Sequence, residues 1–167
     1  MSSLAAVVPA ARPIIYLGMD VHMESITIAV LPEGAKTPTR LDRLPNDLPK
    51  LKRWLERVAR DGDLRACYEA SGAGYVLHRA LQEWGYACEV IAPSLIPKRA
   101  GVQRKHDKRD ATDLARLSRA GELVPVRIPS EAEERVRDVV RCRETFQREI
   151  LKSRHYILKF LARRRPR

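Results

Sequence analysis

A chain of 167 residues, 44% of them hydrophobic, can bury one core and carry a helical appendage, which excludes disorder of the whole chain. The net charge of +11 is unevenly placed: residues 1–97 hold 11 Lys/Arg against 11 Asp/Glu, whereas residues 98–167 hold 21 against 10. An excess confined to one end points to a polyanionic partner, a nucleic acid in preference to an anionic membrane surface. No apolar run reaches the ~18 residues needed to span a bilayer. Cys67, Cys88 and Cys142 have neither disulfide-framework nor zinc-site spacing, so a cytoplasmic, nucleoid-associated setting without a membrane is expected.

The first twelve residues, MSSLAAVVPAAR, lack a basic leader region and read as a flexible N-terminal tail, 1–12. Ile14–Val21 and Ser25–Leu31 are β-branched runs split by a polar break, predicting two antiparallel strands, and Thr39–Leu44 supplies a third. Asn46 is the expected N-cap of a helix whose apolar face is Leu48, Leu51, Leu55 and Val58, stopped at Asp61-Gly62. Leu64–Ala70 predicts a fourth strand, Gly74–Trp84 a helix closed by Gly85, and Ala87–Ala92 a fifth strand. The predicted face of that helix is Val76, Leu77, Ala80, Leu81 and Trp84. The order β-β-β-α-β-α-β followed by helices predicts an α/β fold: an RNase H-like mixed sheet flanked by helices over residues 13–129.

Residues 98–110, KRAGVQRKHDKRD, predict a basic loop; Ala111–Ala120 is helical and ends at Gly121, and Leu123–Pro129 is extended. Ser130 with Glu133 forms a capping box opening a long basic helix over 130–167. Along it, Val136, Arg143, Ile150 and Ile157 occupy one heptad position and Val139, Phe146, Ser153 and Phe160 the other. Six of these eight are apolar, the pattern of a coiled coil, so a homo-oligomer through this helix is expected, with packing on its own domain the alternative.

Four carboxylates stand out. Asp20 closes the first strand and Glu69 the fourth, each after an apolar run. There a buried carboxylate must find water, a donor or a metal. Their plainer readings are a turn Asp bonded to backbone N–H groups and a solvated Glu. Asp107 and Asp110 lie four residues before Ala111 and Leu114, so helical geometry would extend that apolar stripe into both acids, with N-capping by Asp107 as the competing account. Asp113 is set aside, because Arg109 and Arg116 satisfy it as a surface pair. Four such acids suit Mg²⁺ or Mn²⁺, with waters and phosphate oxygens as remaining ligands. Two ions about 4 Å apart could serve phosphodiester cleavage. His22 and His106 neighbour the acids, either as proton-transfer or phosphate groups or as bystanders. A phosphate-binding GxxxxGK[ST] loop is absent.

The segments GMDVH at 18–22, YEASG at 68–72 and KHDKRDATDLARL at 105–117 resemble the three signature blocks of DEDD-motif insertion-sequence transposases. That family carries a RuvC-like N-terminal domain and, in some members, is guided by a structured RNA from the element's own ends. The resemblance covers roughly residues 14–128. It implies metal-dependent DNA strand cleavage and exchange, with Asp20, Glu69, Asp107 and Asp110 as catalytic metal ligands. It also implies a coiled-coil segment after the domain, then a second domain with a catalytic Ser. Since the chain ends at Arg167, truncation before that serine-bearing domain is the expectation. Lys105, Lys108, Arg109, Arg163, Arg164 and Arg165 are the candidates for contacts to nucleic-acid phosphates. Two other classes compete. One is a non-catalytic basic nucleic-acid-binding and assembly module. The other is a nucleotide-binding domain of the actin and sugar-kinase type, which Ser25-Ile26-Thr27 disfavours by offering no glycine for a phosphate hairpin.

Overall fold

The computed structural model describes residues 12–72, 74–97 and 107–164, with the side chains of residues 107–109 outside that set. The tail expected at 1–12 thus lies outside the described residues except for Arg12, and so does the expected basic loop up to residue 106. The chain divides into two compact units, Met1–Val126 and Arg127–Arg167.

In the first unit, β1 (Ile14–Val21), β2 (Ser25–Pro32), β3 (Arg40–Pro45), β4 (Asp63–Glu69) and β5 (Ala87–Ile91) form one sheet in the order β3-β2-β1-β4-β5. This is the RNase H-like mixed sheet that the sequence predicts. β1 is central, antiparallel to β2 and parallel to β4, and β4 is in turn parallel to β5. Alternation sends Tyr16, Gly18 and Asp20 of β1 to one face and Leu17 and Met19 to the other. Both faces are covered, which is why β1 and β2 read as nearly unbroken apolar runs.

The Gly18 face is covered by α3 (Asp107–Ala120), which packs across β1 and β2. Its Ala111 and Ala115 join Tyr16, Ala29 and Leu31 in one cluster, and its Leu114 joins Cys67 and Ile91 in another. The other face is left to α1 (Leu48–Val58) and α2 (Val76–Glu83). These bury Leu51, Trp54, Leu55 and Val58, and Leu77, Ala80 and Leu81, respectively.

Several boundaries differ from expectation for local reasons. The N-cap of α1 is Asp47, whose side chain accepts from the Lys50 amide at 2.9 Å, not Asn46. Asn46 instead donates from Nδ2 to the His22 carbonyl at 2.8 Å, tying β3 to the β1–β2 hairpin. Trp54, absent from the predicted face of α1, is buried because its indole N–H finds Asp42 Oδ2 at 2.9 Å. The second helix starts at Val76 because Gly74 has φ +69°, a left-handed conformation that no right-handed helix contains, and Val76 is then 59% exposed. Residues 123–129 are extended without forming a strand: they make an isolated bridge, Ile91 to Pro125, and pack Leu123 against the Cys67 cluster.

In the second unit, α4 (Glu131–Ala162) is a 32-residue helix opened by the expected capping box. The Ser130 hydroxyl accepts from the Glu133 amide, and Glu133 Oε2 accepts from the Ser130 amide at 2.7 Å. None of its residues is buried, and all six apolar seam residues are more than half exposed.

Candidate functional site

The β1–β4 register ends with Met19 opposite Tyr68, and the next step sets Asp20 beside Glu69. The two carboxylates therefore leave neighbouring strand ends on the same face, the one under α3. Glu69 is half-buried, and the Asp20 side chain is 15% exposed. Beyond Glu69 the chain turns through Ala70 and Ser71 to Gly72, where a Cβ would meet nothing within 4 Å.

The third acid arrives on α3, which runs antiparallel to β1. Its C-terminal end is held at the opening of the sheet, where Arg119 donates to the Ala35 carbonyl and to the Glu33 carbonyl at 3.4 Å. Its N-terminal half reaches the closing end, and there the contact is extreme. A Cβ on Gly18 would stand 2.1 Å from the Ala111 carbonyl oxygen and 2.4 Å from the Ala115 amide, so only glycine admits the helix. Leu114 sits on Cys67 and Ile91, and the Cys67 thiol donates to the Leu114 carbonyl at 3.6 Å. Four helical residues back from Leu114, about 6 Å, is Asp110. Two strand residues on from Cys67, about 6.6 Å, is Glu69. These similar, parallel displacements place Asp110 toward the Glu69 end of the sheet, and its Oδ2 atom is buried.

α3 thus starts four residues earlier than predicted. Asp107 and Asp110 belong to its first turn, where the helix dipole favours negative charge. The side chains of Asp107, Lys108 and Arg109 lie outside the described residues, as do Lys105, His106 and Arg165 entirely. Arg163 is the C-cap of α4, and the Arg164 guanidinium lies 4.8 Å from the centre of the Phe160 ring.

His22 has a definite place. Its Nε2 is 3.0 Å from Asp20 Oδ2, its amide donates to Ser25 O at 2.9 Å, and its carbonyl is held by Asn46. The imidazole therefore orients one oxygen of Asp20 from the solvent side. The sequence signal was present in the two-residue spacing, which returns a side chain to the same side of an extended chain. Gly18 was likewise legible as a glycine interrupting an apolar strand, a mark of close backbone approach.

As a donor set, three hard carboxylates suit Mg²⁺ or Mn²⁺. Cys67, though close, does not join them. Burial pushes its thiol up to about 12, with the Ser118 hydrogen bond opposing, so it stays a neutral thiol and not a metal-binding thiolate. Among the described residues, no three His, Cys, Asp or Glu side chains form a ready-made metal cluster. The chemistry of the acids fits a hard cation, and the described side chains alone do not complete a cage.

Comparison with known proteins decides the family. The DEDD_Tnp_IS110 model, described as "Transposase", matches residues 17–166, nearly the whole chain. The chain belongs to the DEDD transposase family. The transposase for insertion sequence element IS1533 of Leptospira borgpetersenii is 34% identical over 152 residues, covering 90% of this chain and 44% of that protein. A relative from Sinorhizobium fredii that also bears a transposase name is 38% identical over 130 residues, covering 77% of this chain and 33% of that protein. The chain thus spans less than half the length of these relatives. Among solved structures, T. thermophilus RuvC in complex with a Holliday junction substrate superposes with a TM-score of 0.47 at 12% identity, over 69% of this chain and 99% of that one. Among the described residues, no helix is long and apolar enough to cross a membrane.

Proposed function

We propose that this member of the DEDD transposases is a catalytic domain that cleaves and exchanges DNA strands, with Asp20, Glu69, Asp107 and Asp110 holding Mg²⁺ or Mn²⁺. The observation that carries the reading is the strand register that sets Asp20 beside Glu69 under the first turn of α3, where Asp110 resides. Asp107 stands four residues before Ala111, whose carbonyl abuts Gly18, as Asp20 stands two residues after Gly18. That spacing supports Asp107 as the partner of Asp20 and Asp110 as the partner of Glu69. Bound there, the ions would neutralise phosphate charge and activate a nucleophile for phosphodiester cleavage.

The chain's own residues do the positioning. His22 fixes the orientation of Asp20, Gly18 lets α3 sit low enough to bring in its acids, and the dipole at the α3 N-terminus favours an anionic phosphate. Lys105, Lys108 and Arg109, and Arg163, Arg164 and Arg165, would contact phosphates. In this reading residues 13–129 form the metal-binding domain, and residues 130–167 pair with a second copy through the Val136–Phe160 seam. A structured guide RNA is the further partner the family resemblance implies.

The test is Asp110→Ala, with Mn²⁺ binding followed by calorimetry and folding by circular dichroism. Binding should be lost while the fold persists. Undiminished binding would refute the metal assignment.

A second reading, a nucleic-acid-binding and assembly module whose acids serve structure only, is favoured by the lack of a three-ligand cluster among the described residues. It requires nucleic-acid affinity that is indifferent to EDTA and no nicking of branched DNA in Mg²⁺. Nicking that depends on Asp110 rejects it.

A further inference from the structure

The exposed cations of α4 recur at a second period, distinct from the heptads of the apolar seam. Arg137, Arg148 and Lys159 are eleven residues apart, and so are Arg141, Lys152 and Arg163. Eleven residues make three turns of an almost straight helix, drifting only about 20° per repeat, so each set stays in line along the axis. The two sets are four residues apart, one turn, and therefore share one face. All six positions are exposed. The seam lies behind them. Val139 and Ile150 each follow a cation of the first row by two residues, about 200° around the helix, and are 70% and 60% exposed. An open surface groove runs along this side, with Arg148, Lys152, His155 and Lys159 at its polar positions and Leu151 and Tyr156 between them.

We infer that this face of α4 is a docking surface for duplex DNA, which it grips through the phosphate backbone without reading sequence. From residue 137 to 163 the rows extend about 39 Å at 1.5 Å per residue, slightly more than one turn of a duplex at about 34–36 Å. The apolar seam faces away, so it can pair with a second copy while the cations remain outward. Arg148 and Lys152 already have carboxylate neighbours, Glu144 at 3.5 Å and Glu149 at 3.6 Å. Surface pairs of that kind are weak in water and yield readily to phosphate. The choice of DNA rests on the proposed reading of the chain as a DNA strand-exchange domain, but the binding itself asks for no metal.

The test uses the whole chain in EDTA with a fluorescein-labelled DNA duplex of arbitrary sequence, and anisotropy measured across a salt series. One triple variant, R137Q/R148Q/K159Q, removes a row. The control, R57Q/R135Q/R154Q, removes the same charge away from that face and from the heptad positions. Each triple breaks one i,i+4 ion pair, Arg148–Glu144 or Arg135–Glu131. Each phosphate contact contributes about 0.9 to the slope of log K against log salt. The row variant should therefore lower that slope by about 2 to 3 and weaken binding about tenfold or more, with the control close to the parent. Equal losses in both triples would reduce the effect to net charge and overturn the docking surface. No binding by the parent chain would do the same. A row effect seen on duplex RNA but not on DNA would overturn the choice of ligand. Because metal binding plays no part in this measurement, its outcome is separable from that of Asp110→Ala.

Discussion

Gly18→Ala is the most economical test of how the carboxylates are assembled. The added Cβ would lie 2.1 Å from the Ala111 carbonyl oxygen and 2.4 Å from the Ala115 amide, whereas real Cβ contacts essentially never fall below 3.0 Å. Both clashing atoms are helix backbone, which no rotamer change can remove. α3 must therefore retreat by roughly 1 Å, a strain of about 1–3 kcal/mol. In an open strand the same substitution would gain about 0.5–1 kcal/mol by restricting the unfolded chain, so the sign of the effect is diagnostic. At a urea dependence of about 1–3 kcal/mol per molar, the unfolding midpoint should fall by about 1 M. Under the proposed metal assignment, Mn²⁺ affinity should weaken as well, because Asp110 rides on the displaced helix. Gly34→Ala is the matched control, since nothing lies within 4 Å of its Cβ. Should both variants unfold at the same denaturant concentration and bind Mn²⁺ alike, the close seating of α3 on β1 is wrong.

Two further outcomes follow from other parts of the chain. Hydrogen bonds from Arg127 and from the Ser130 amide and hydroxyl hold the Glu133 carboxyl down at about 2, against an ordinary 4.5. A depressed carboxyl stabilises the fold above its unfolded pKa, and that contribution disappears as pH falls from about 4.5 to 2. The helical dichroism of the parent should decline across that window more than that of Glu133→Gln, and superimposable curves would reject the cap as the cause. Cysteine labelling gives a second check. Burial pushes the Cys67 and Cys88 thiols up, whereas Cys142 is exposed. Iodoacetamide at mildly alkaline pH should modify Cys142 alone in the native protein and all three in urea, as read by mass spectrometry. Native modification of Cys67 would contradict the packing of Leu114 over it.

Much of this protein was legible residue by residue. The β-branched run Ile14–Val21 became a strand with those bounds, Gly85 and Gly121 closed their helices at positive φ, and Ser130-Glu133 capped the long helix. These features depend on periods and caps, which are local properties of the chain. The start of α3 was misplaced because a basic, Gly-containing segment has loop composition, and the helical repeat alone does not say where the first turn begins. Asn46 and Asp47 are both good caps, and only the pull of His22 on Asn46 separates their roles.

The acids divide along the same line. Strand ends and a helical stripe marked Asp20, Glu69 and Asp110 as candidates one at a time. Their placement toward one end of one face depends on β4 pairing parallel to β1 in one register and on α3 lying antiparallel over Gly18. Hydrogen bonds and contacts between segments tens of residues apart set those arrangements. A one-residue slip would have turned Glu69 to the opposite face without altering a single local preference.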